Sequence, residues 1–329
     1  MQMVQMITGF WTSCCIYNAA KLNIADRLAE KPQTAQQLAA ATGTNPTFLY
    51  RLLRALCSVG VFAENGSKEF ELTPLGETLR SNVPGSMKAM AIAQLGDHYP
   101  AWGNLMHSLR TGEIAFDNAV GVPVWKYYES HPEDGANFAE AMSNMTKMSL
   151  AHVLPAYDFK SFSTIVDIGG GNGTMLCAIL NEAKTSAGLV YDEPYLKEQA
   201  RRNIEQNGLS SRCSYAEGSF FDSVPTGGDL YIMKMILHDW NDDSAKKILG
   251  NVGKAMSAGS KLLIIESVIP EGNDPHPGKF MDINMMAMTG GCERTEKDWN
   301  ALISSCGLRL SRIITTHHPL FSLIEVVKA

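Results

Sequence analysis

Hydrophobic and polar positions along the chain follow two different rhythms. Through the first hundred residues apolar side chains recur at helical spacing, beginning with residues 16–28. The stretch PQTAQQLAAATGTNPTFLYRLLRALCSVGVF predicts two more helices joined by a glycine turn. Thr34 is the expected N-cap of one, Asn45-Pro46 starts the next, and Gly60 stops it. In VFAENGSKEFELT two short apolar runs, 61–63 and 70–72, flank an Asn65-Gly66 turn and predict a hairpin. Helix, helix and hairpin make a winged-helix arrangement. Residues 81–160 continue helical, broken at Pro84, Pro100, Pro123 and Pro132.

Beyond Pro155 the rhythm changes to short apolar runs alternating with helical stretches. FSTIVDIGGGNGT, AGLVYD, RCSYAEG, GGDLYIMKMIL and SKLLIIES predict five strands, with helices near 174–184, 195–206 and 242–256 between them. Such alternation implies an α/β fold with a parallel sheet covered by helices on both faces. Residues 309–316 and 321–328, joined through Pro319, predict a closing antiparallel hairpin.

Composition narrows the class. A chain of 329 residues, 45% hydrophobic and 19% charged, suits a two-domain globular protein. A net charge of −6 gives no electrostatic draw toward nucleic acid or an anionic membrane, and no apolar run is long enough to span one. The start MQMVQMITGFWTSCC lacks a basic segment and a small-residue cleavage site, so no signal peptide is expected. Seven cysteines without a C-x-x-C pair point to reduced thiols in a cytoplasmic protein, with neither a disulfide scaffold nor a metal site.

Candidate chemistry begins at Asp167-Ile168-Gly169-Gly170-Gly171-Asn172-Gly173, where the first strand of the α/β half ends. Glycines there allow a tight turn and close approach of backbone N–H groups to a ligand. A dinucleotide fingerprint does not fit: placed on Gly169 its last position is Thr174, and placed on Gly171 it is Leu176. An acid ahead of the glycines would repel a pyrophosphate but suits a cation with an amino-acid tail, such as S-adenosylmethionine (SAM). Asp192, ending the second strand, is placed for ribose hydroxyls.

Taken in order, LLRALCSVGVF, IVDIGGGNGT, EGSFFDSVPTGGDLYIMKMILHDWNDD, IIESVIP and TGGCERTEKDWNALISSCGL resemble the class I SAM-dependent small-molecule O-methyltransferases. The likeness is to the group with caffeic acid, acetylserotonin and bacterial polyketide O-methyltransferases. The resemblance implies a Rossmann-like seven-stranded sheet whose last strand is antiparallel, and an N-terminal winged-helix domain that forms a homodimer rather than binding DNA. It implies a dimerisation domain at 1–100, a helical connector contributing to the acceptor pocket at 101–160, and a SAM-binding catalytic domain at 161–329. It carries SAM contacts onto Gly169, Asp192, Ser219, Phe220 and Lys234, beside Asp167 and Gly171 from the turn itself, with S-adenosylhomocysteine as product. His238 matches the family's base, and Glu266 and Glu293 its two flanking carboxylates. Two positions depart from the pattern: Ser219 stands where Asp is usual, and Glu193 interrupts the usual Asp-Leu-Pro.

The chemistry asks for these residue types. A phenol is a poor nucleophile while protonated, and a neutral imidazole within reach can take its proton as the new bond forms. Carboxylates nearby orient the imidazole and stabilise its cation. Glu293 is preferred to Glu296, because Thr295 and Asp298 form a capping box that puts Glu296 in a helix's first turn. Asp239 is either a contact to substrate or histidine, or part of the following helix's cap. Phe138, Met142 and Met286 suit the wall of a flat acceptor, Trp11 suits a dimer contact, and His317-His318 suit an exposed loop. Carbon or nitrogen methylation, a non-methylating SAM enzyme, a winged-helix regulator and a nicotinamide oxidoreductase are the alternatives. The regulator lacks a basic footprint in residues 1–80.

Overall fold

The computed structural model describes residues 1–329, folded as two compact units. One comprises residues 1–100 and 125–145; the other comprises 101–124 and 146–329.

In the first unit the expected helices form with the expected caps. Thr34 and Gln37 make a reciprocal capping box ahead of the helix Ala35–Thr42. Asn45 Oδ1 accepts from the N–H groups of Thr47 and Phe48, with Pro46 opening the helix Pro46–Ser58. Leu49, Leu53 and Leu56 on that helix point into a core with Ile24, Leu38, Phe62 and Phe70. The run 16–28 is two helices, Gly9–Lys21 and Ile24–Leu28, because Asn23 adopts φ +54° between them. The hairpin pairs β2 (Phe62–Glu64) with β3 (Glu69–Leu72), and β1 (Gln33–Thr34) joins β3 as a third antiparallel strand that the sequence did not announce. The turn begins at Asn65-Gly66 as expected but runs over four residues, 65–68, with Lys68 N–H donating to the Asn65 carbonyl at 3.0 Å. The left-handed residue is Lys68, at φ +61°, while Asn65 Oδ1 accepts from Ser67 N–H and Glu69 N–H. The opening helix Gln2–Ile7 buries none of its residues, and Phe10 and Trp11 after it are 47% and 61% exposed.

The second unit is built on β4 (Thr164–Ile168), β5 (Ala187–Asp192), β6 (Cys213–Glu217), β7 (Leu230–Lys234), β8 (Lys261–Glu266), β9 (Leu308–Thr315) and β10 (Ser322–Lys328). They form one seven-stranded sheet in the order β6-β5-β4-β7-β8-β10-β9, with β10 antiparallel to both its neighbours. Alternate residues serve opposite faces. Val166, Tyr231, Met233, Leu262 and Ile264 pack with the helices Asp242–Ala255 and Glu296–Ser305. Ile165, Leu230, Ile232, Leu263 and Ile265 pack with the helix Thr174–Glu182 on the other side. Burial on both faces makes these strands unbroken apolar runs, which is why they were legible. Strand order reverses between β4 and β7, and a ligand crevice is expected outside the carboxyl ends at that point. No helix is long and apolar enough to cross a membrane.

Candidate active site

Side chains at the carboxyl ends of β4, β5 and β7 converge on the crevice. Gly169, Gly171 and Gly173 take φ +67°, +58° and +76°, and the helix Thr174–Glu182 starts directly after them. A Cβ on Gly170 would fall 2.8 Å from the Asp167 carboxyl, so a bare backbone is required there. Asp167 is buried and its Oδ2 has no hydrogen-bond partner. Burial and the Asp192 charge push its carboxyl up to about 7, against the opposing pull of Lys234. Asp192 pins the turn: its Oδ2 accepts from Gly171 N–H at 2.7 Å and its Oδ1 from Glu193 N–H at 2.7 Å. Glu193 is exposed, so the substitution in Asp-Leu-Pro places no charge in the core.

Ser219 follows β6, where its Oγ accepts from Phe221 N–H, and Phe220 meets Trp240 edge-on. Lys234 ends β7, with Nζ donating to Thr146 Oγ1 at 3.2 Å and lying 4.8 Å from the Phe321 ring centroid. Burial draws its ammonium down to about 8, while Asp167 and Glu266 hold it up. An orphaned, buried carboxylate oxygen beside an open glycine turn fits the cationic, zwitterionic end of SAM. Each Asp192 oxygen keeps a second lone pair beyond its bond to backbone.

His238 is not on a strand, contrary to the apolar run that leads to it. β7 stops at Lys234, Met235 takes φ +53°, and a short 3-10 turn, Leu237–Asp239, carries the imidazole. The turn forms because Glu266, at the end of β8, offers its backbone a partner. Glu266 Oε1 accepts from Ile236 N–H at 2.9 Å and Leu237 N–H at 2.7 Å, leaving Oε2 buried and unpaired. The His238 ring itself bonds Glu293, Nδ1 to Oε1 at 2.7 Å. A carboxylate only accepts, so Nδ1 carries the proton and Nε2 is the free position. Asp239 Oδ1 lies 3.7 Å from that Nε2. Asn241, not Asp239, caps the helix Asp242–Ala255 by accepting from Ser244 N–H, which removes Asp239's capping alternative.

Four ionisable groups, His238, Asp239, Glu266 and Glu293, therefore share one buried site. Burial presses His238 down, but Asp239, Glu293 and Glu266 outweigh it and raise the imidazole to about 9. Burial lifts Asp239 to about 6 and Glu266 to about 7, the His238 charge opposing in both cases and Glu293 adding.

The loop that supplies Glu293 is fitted closely to this turn. A Cβ on Gly291 would overlap the His238 carbonyl oxygen. Glu293 N–H donates to Asp282 Oδ1 at 2.8 Å. Arg294, 2% exposed, donates to the carbonyls of Leu237 and Trp240 at 3.0 Å each and to Asp242 Oδ1 at 2.8 Å, with its guanidinium 5.3 Å from the Trp299 ring centroid. Thr295 and Asp298 form the expected capping box, leaving Glu296 exposed in the first turn of Glu296–Ser305.

A small cavity opens at His238, lined by Met235, Glu266, Ser267, Met281, Glu293, Leu320 and Phe321 besides the histidine. Leu320 and Phe321 arrive from the turn between β9 and β10, far along the chain, and no local pattern marked them. Arg294 was equally silent: a lone arginine in a polar stretch reads as solvated until its burial is seen. His318 is half-buried and stacks on Phe321 at 4.5 Å, so only His317 is the exposed loop residue expected. Met286 is half-buried on the helix Gly278–Met288, which also carries Met281. Phe138 and Met142 belong to the first unit, on the helix Pro132–Val153, where Phe138 stacks on Tyr128 at 4.9 Å.

Known proteins share this architecture. An O-methyltransferase dimerisation domain matches residues 4–82 and an O-methyltransferase domain matches residues 102–309. A phenazine O-methyltransferase of Lysobacter antibioticus is 40% identical, over 98% of this chain and 94% of its own. An 8-amino-8-demethylriboflavin N,N-dimethyltransferase of Streptomyces davaonensis is 34% identical, over 95% and 90%. The crystal structure of an O-methyltransferase from neocarzinostatin biosynthesis, solved with S-adenosylhomocysteine and 1,4-dihydroxy-2-naphthoic acid, superposes with a TM-score of 0.84. It is 32% identical over 97% of this chain and 96% of that one. With a seven-stranded sheet, a glycine turn at its switch point and both domain matches in register, the chain belongs to the SAM-dependent O-methyltransferases of small-molecule biosynthesis.

Proposed function

We propose that the chain methylates a phenolic hydroxyl of a small aromatic or polyketide-like metabolite, with His238 as general base. The observation that carries this is the 2.7 Å bond from His238 Nδ1 to Glu293 Oε1, which leaves Nε2 as the proton acceptor. Asp167, Gly169, Gly171, Asp192, Ser219, Phe220 and Lys234 would hold SAM, which supplies an electrophilic methyl group. Glu293 orients the imidazole and stabilises its cation once the phenol's proton arrives, as the acid does in hydrolase triads. Glu266 adds negative charge and holds the turn by its backbone. Asp239, beside Nε2, would contact the acceptor, and Phe138, Met142 and Met286 would wall it. Burial of the whole cluster keeps water from competing for the proton. Phenolic acceptors are supported by the relatives, one of which was solved with a dihydroxynaphthoic acid.

Domain roles follow the same reading: dimerisation as a homodimer by residues 1–100, acceptor lining by 101–160, SAM binding and catalysis by 161–329. Methylation of an aryl amine is the second possibility. Three carboxylates around His238 would stabilise the positive charge that an attacking amine develops, and one relative is an N,N-dimethyltransferase.

The deciding experiment is His238→Ala assayed with labelled SAM against phenols, catechols, naphthols and aryl amines. SAM affinity should stay near wild type while turnover of phenols falls by about 10²–10⁴. Full phenol turnover in this variant would remove the histidine from the mechanism.

A further inference from the structure

We propose that Arg294 is a positioning residue for the methyl transfer, setting the His238–Glu293 pair by gripping the backbone on both sides of the histidine. This rests on His238 acting as the base.

The His238 turn is irregular, and irregular backbone in a buried place needs partners for every polar group it exposes. Its N–H groups at Ile236 and Leu237 go to Glu266. Its carbonyls at Leu237 and Trp240 go to Arg294, through Nη1 and Nη2 respectively. One carboxylate and one guanidinium thus clamp the turn from opposite ends of the peptide dipoles. The guanidinium suits this because its five donors are fixed in a planar fork, so one rigid group holds both carbonyls and Asp242 together, whereas an ammonium has three donors on one rotatable nitrogen.

The covalent link makes the clamp catalytic in its consequence. Arg294 directly follows Glu293, so the residue that fixes the histidine's backbone also fixes the carboxylate that accepts the hydrogen bond from its Nδ1–H. The remaining donor capacity is anchored: Nε and Nη2 reach Asp242 Oδ1, and Nη1 contacts the Cys292 carbonyl at 3.4 Å. Trp299, fully buried, backs the guanidinium plane. Gly291 completes the fit, since any side chain there would displace the His238 carbonyl. Every donor of Arg294 is thereby directed to protein, so it is not a site for an anionic acceptor.

The test uses the full-length enzyme with Arg294→Lys and Arg294→Met. Lys preserves the charge but gives up the rigid fork that joins both carbonyls to Asp242; Met removes every one of these bonds. Three readouts are taken on folded protein: kcat and KM for SAM, the pH profile of kcat, and the low-field proton resonance of the His238 Nδ1–H bonded to Glu293. The expected result is kcat down about tenfold or more in both variants, with KM for SAM within about twofold. The midpoint of the pH profile should fall by about one unit, as Glu293 withdraws its support of the imidazolium. The low-field resonance should broaden or vanish. Arg294→Lys with wild-type kcat, pH profile and resonance would overturn the proposal, even if Arg294→Met fails to fold. The resonance does not depend on catalysis, so its loss with unchanged turnover would overturn the base assignment of His238 instead.

Discussion

His238 Nδ1 and Glu293 Oε1 are 2.7 Å apart although 55 residues separate them in the chain. Replacing Glu293 by Gln keeps the size and removes the charge, and the amide can present either a donor or an acceptor to Nδ1. Turnover should drop by about a hundredfold or more, and the pH midpoint should move down because the imidazolium loses a counter-charge. Steady-state rates measured from pH 6 to 10, a range of about four units around the perturbed imidazole, check both effects at once.

The wild-type enzyme should itself be slow in acid. His238 is raised to about 9, so its neutral, proton-accepting form grows as pH rises toward that value, and kcat/KM for the acceptor should climb with it. Stability has the opposite sign. A raised imidazole contributes fully below its ordinary value and loses that contribution as pH rises through about 9. Thermal melts and rates on the same buffers should therefore diverge on the alkaline side; parallel curves would contradict the assignment.

Asp167 makes a prediction about the cofactor alone. Its carboxyl, raised to about 7, is ionised only above that pH, and a cationic ligand gains from the ionised form. SAM affinity, measured calorimetrically without acceptor, should strengthen as pH rises through about 7. In Asp167→Asn it should weaken by about tenfold to a hundredfold and lose this pH dependence. An equally steep dependence in the variant would place the titrating group elsewhere.

Gly291→Ala inserts a methyl group into the His238 carbonyl oxygen. Nothing flexible is there to yield, since the atom struck is backbone. Stability should fall by about 2 kcal/mol or more, visible as a lower Tm, and turnover should fall with it. A variant with unchanged Tm would mean that the two loops have room to separate.

The N-terminal apolar surface should be an interface. Phe10 and Trp11 are exposed, and the helix Gln2–Ile7 before them buries nothing. Trp11→Glu should shift sedimentation from dimer toward monomer at micromolar concentration. A wild-type chain that already sediments as a monomer would reject the interface.

Local rules decided much of this protein. Thr34 and Asn45 cap helices because their side chains reach orphan N–H groups within three residues, so a short window holds the whole interaction. The runs at β4, β7 and β8 are unbroken because helices cover both faces of the sheet, and an acid followed by spaced glycines signals a strand-to-turn ligand site in a dozen residues. His238, Glu266, Glu293 and Asp192 each sit in an ordered motif that the sequence alone displays. Tertiary structure decided what each of them touches. That β7 stops at Lys234 depends on Glu266, a residue of the neighbouring strand, capturing the N–H groups of Ile236 and Leu237. That Arg294 is buried depends on carbonyls in the His238 turn, and that Phe321 reaches the cavity depends on how the last hairpin docks beside β8. Each of these is a bond between groups distant in sequence, and its energy exists only once the sheet has brought them together.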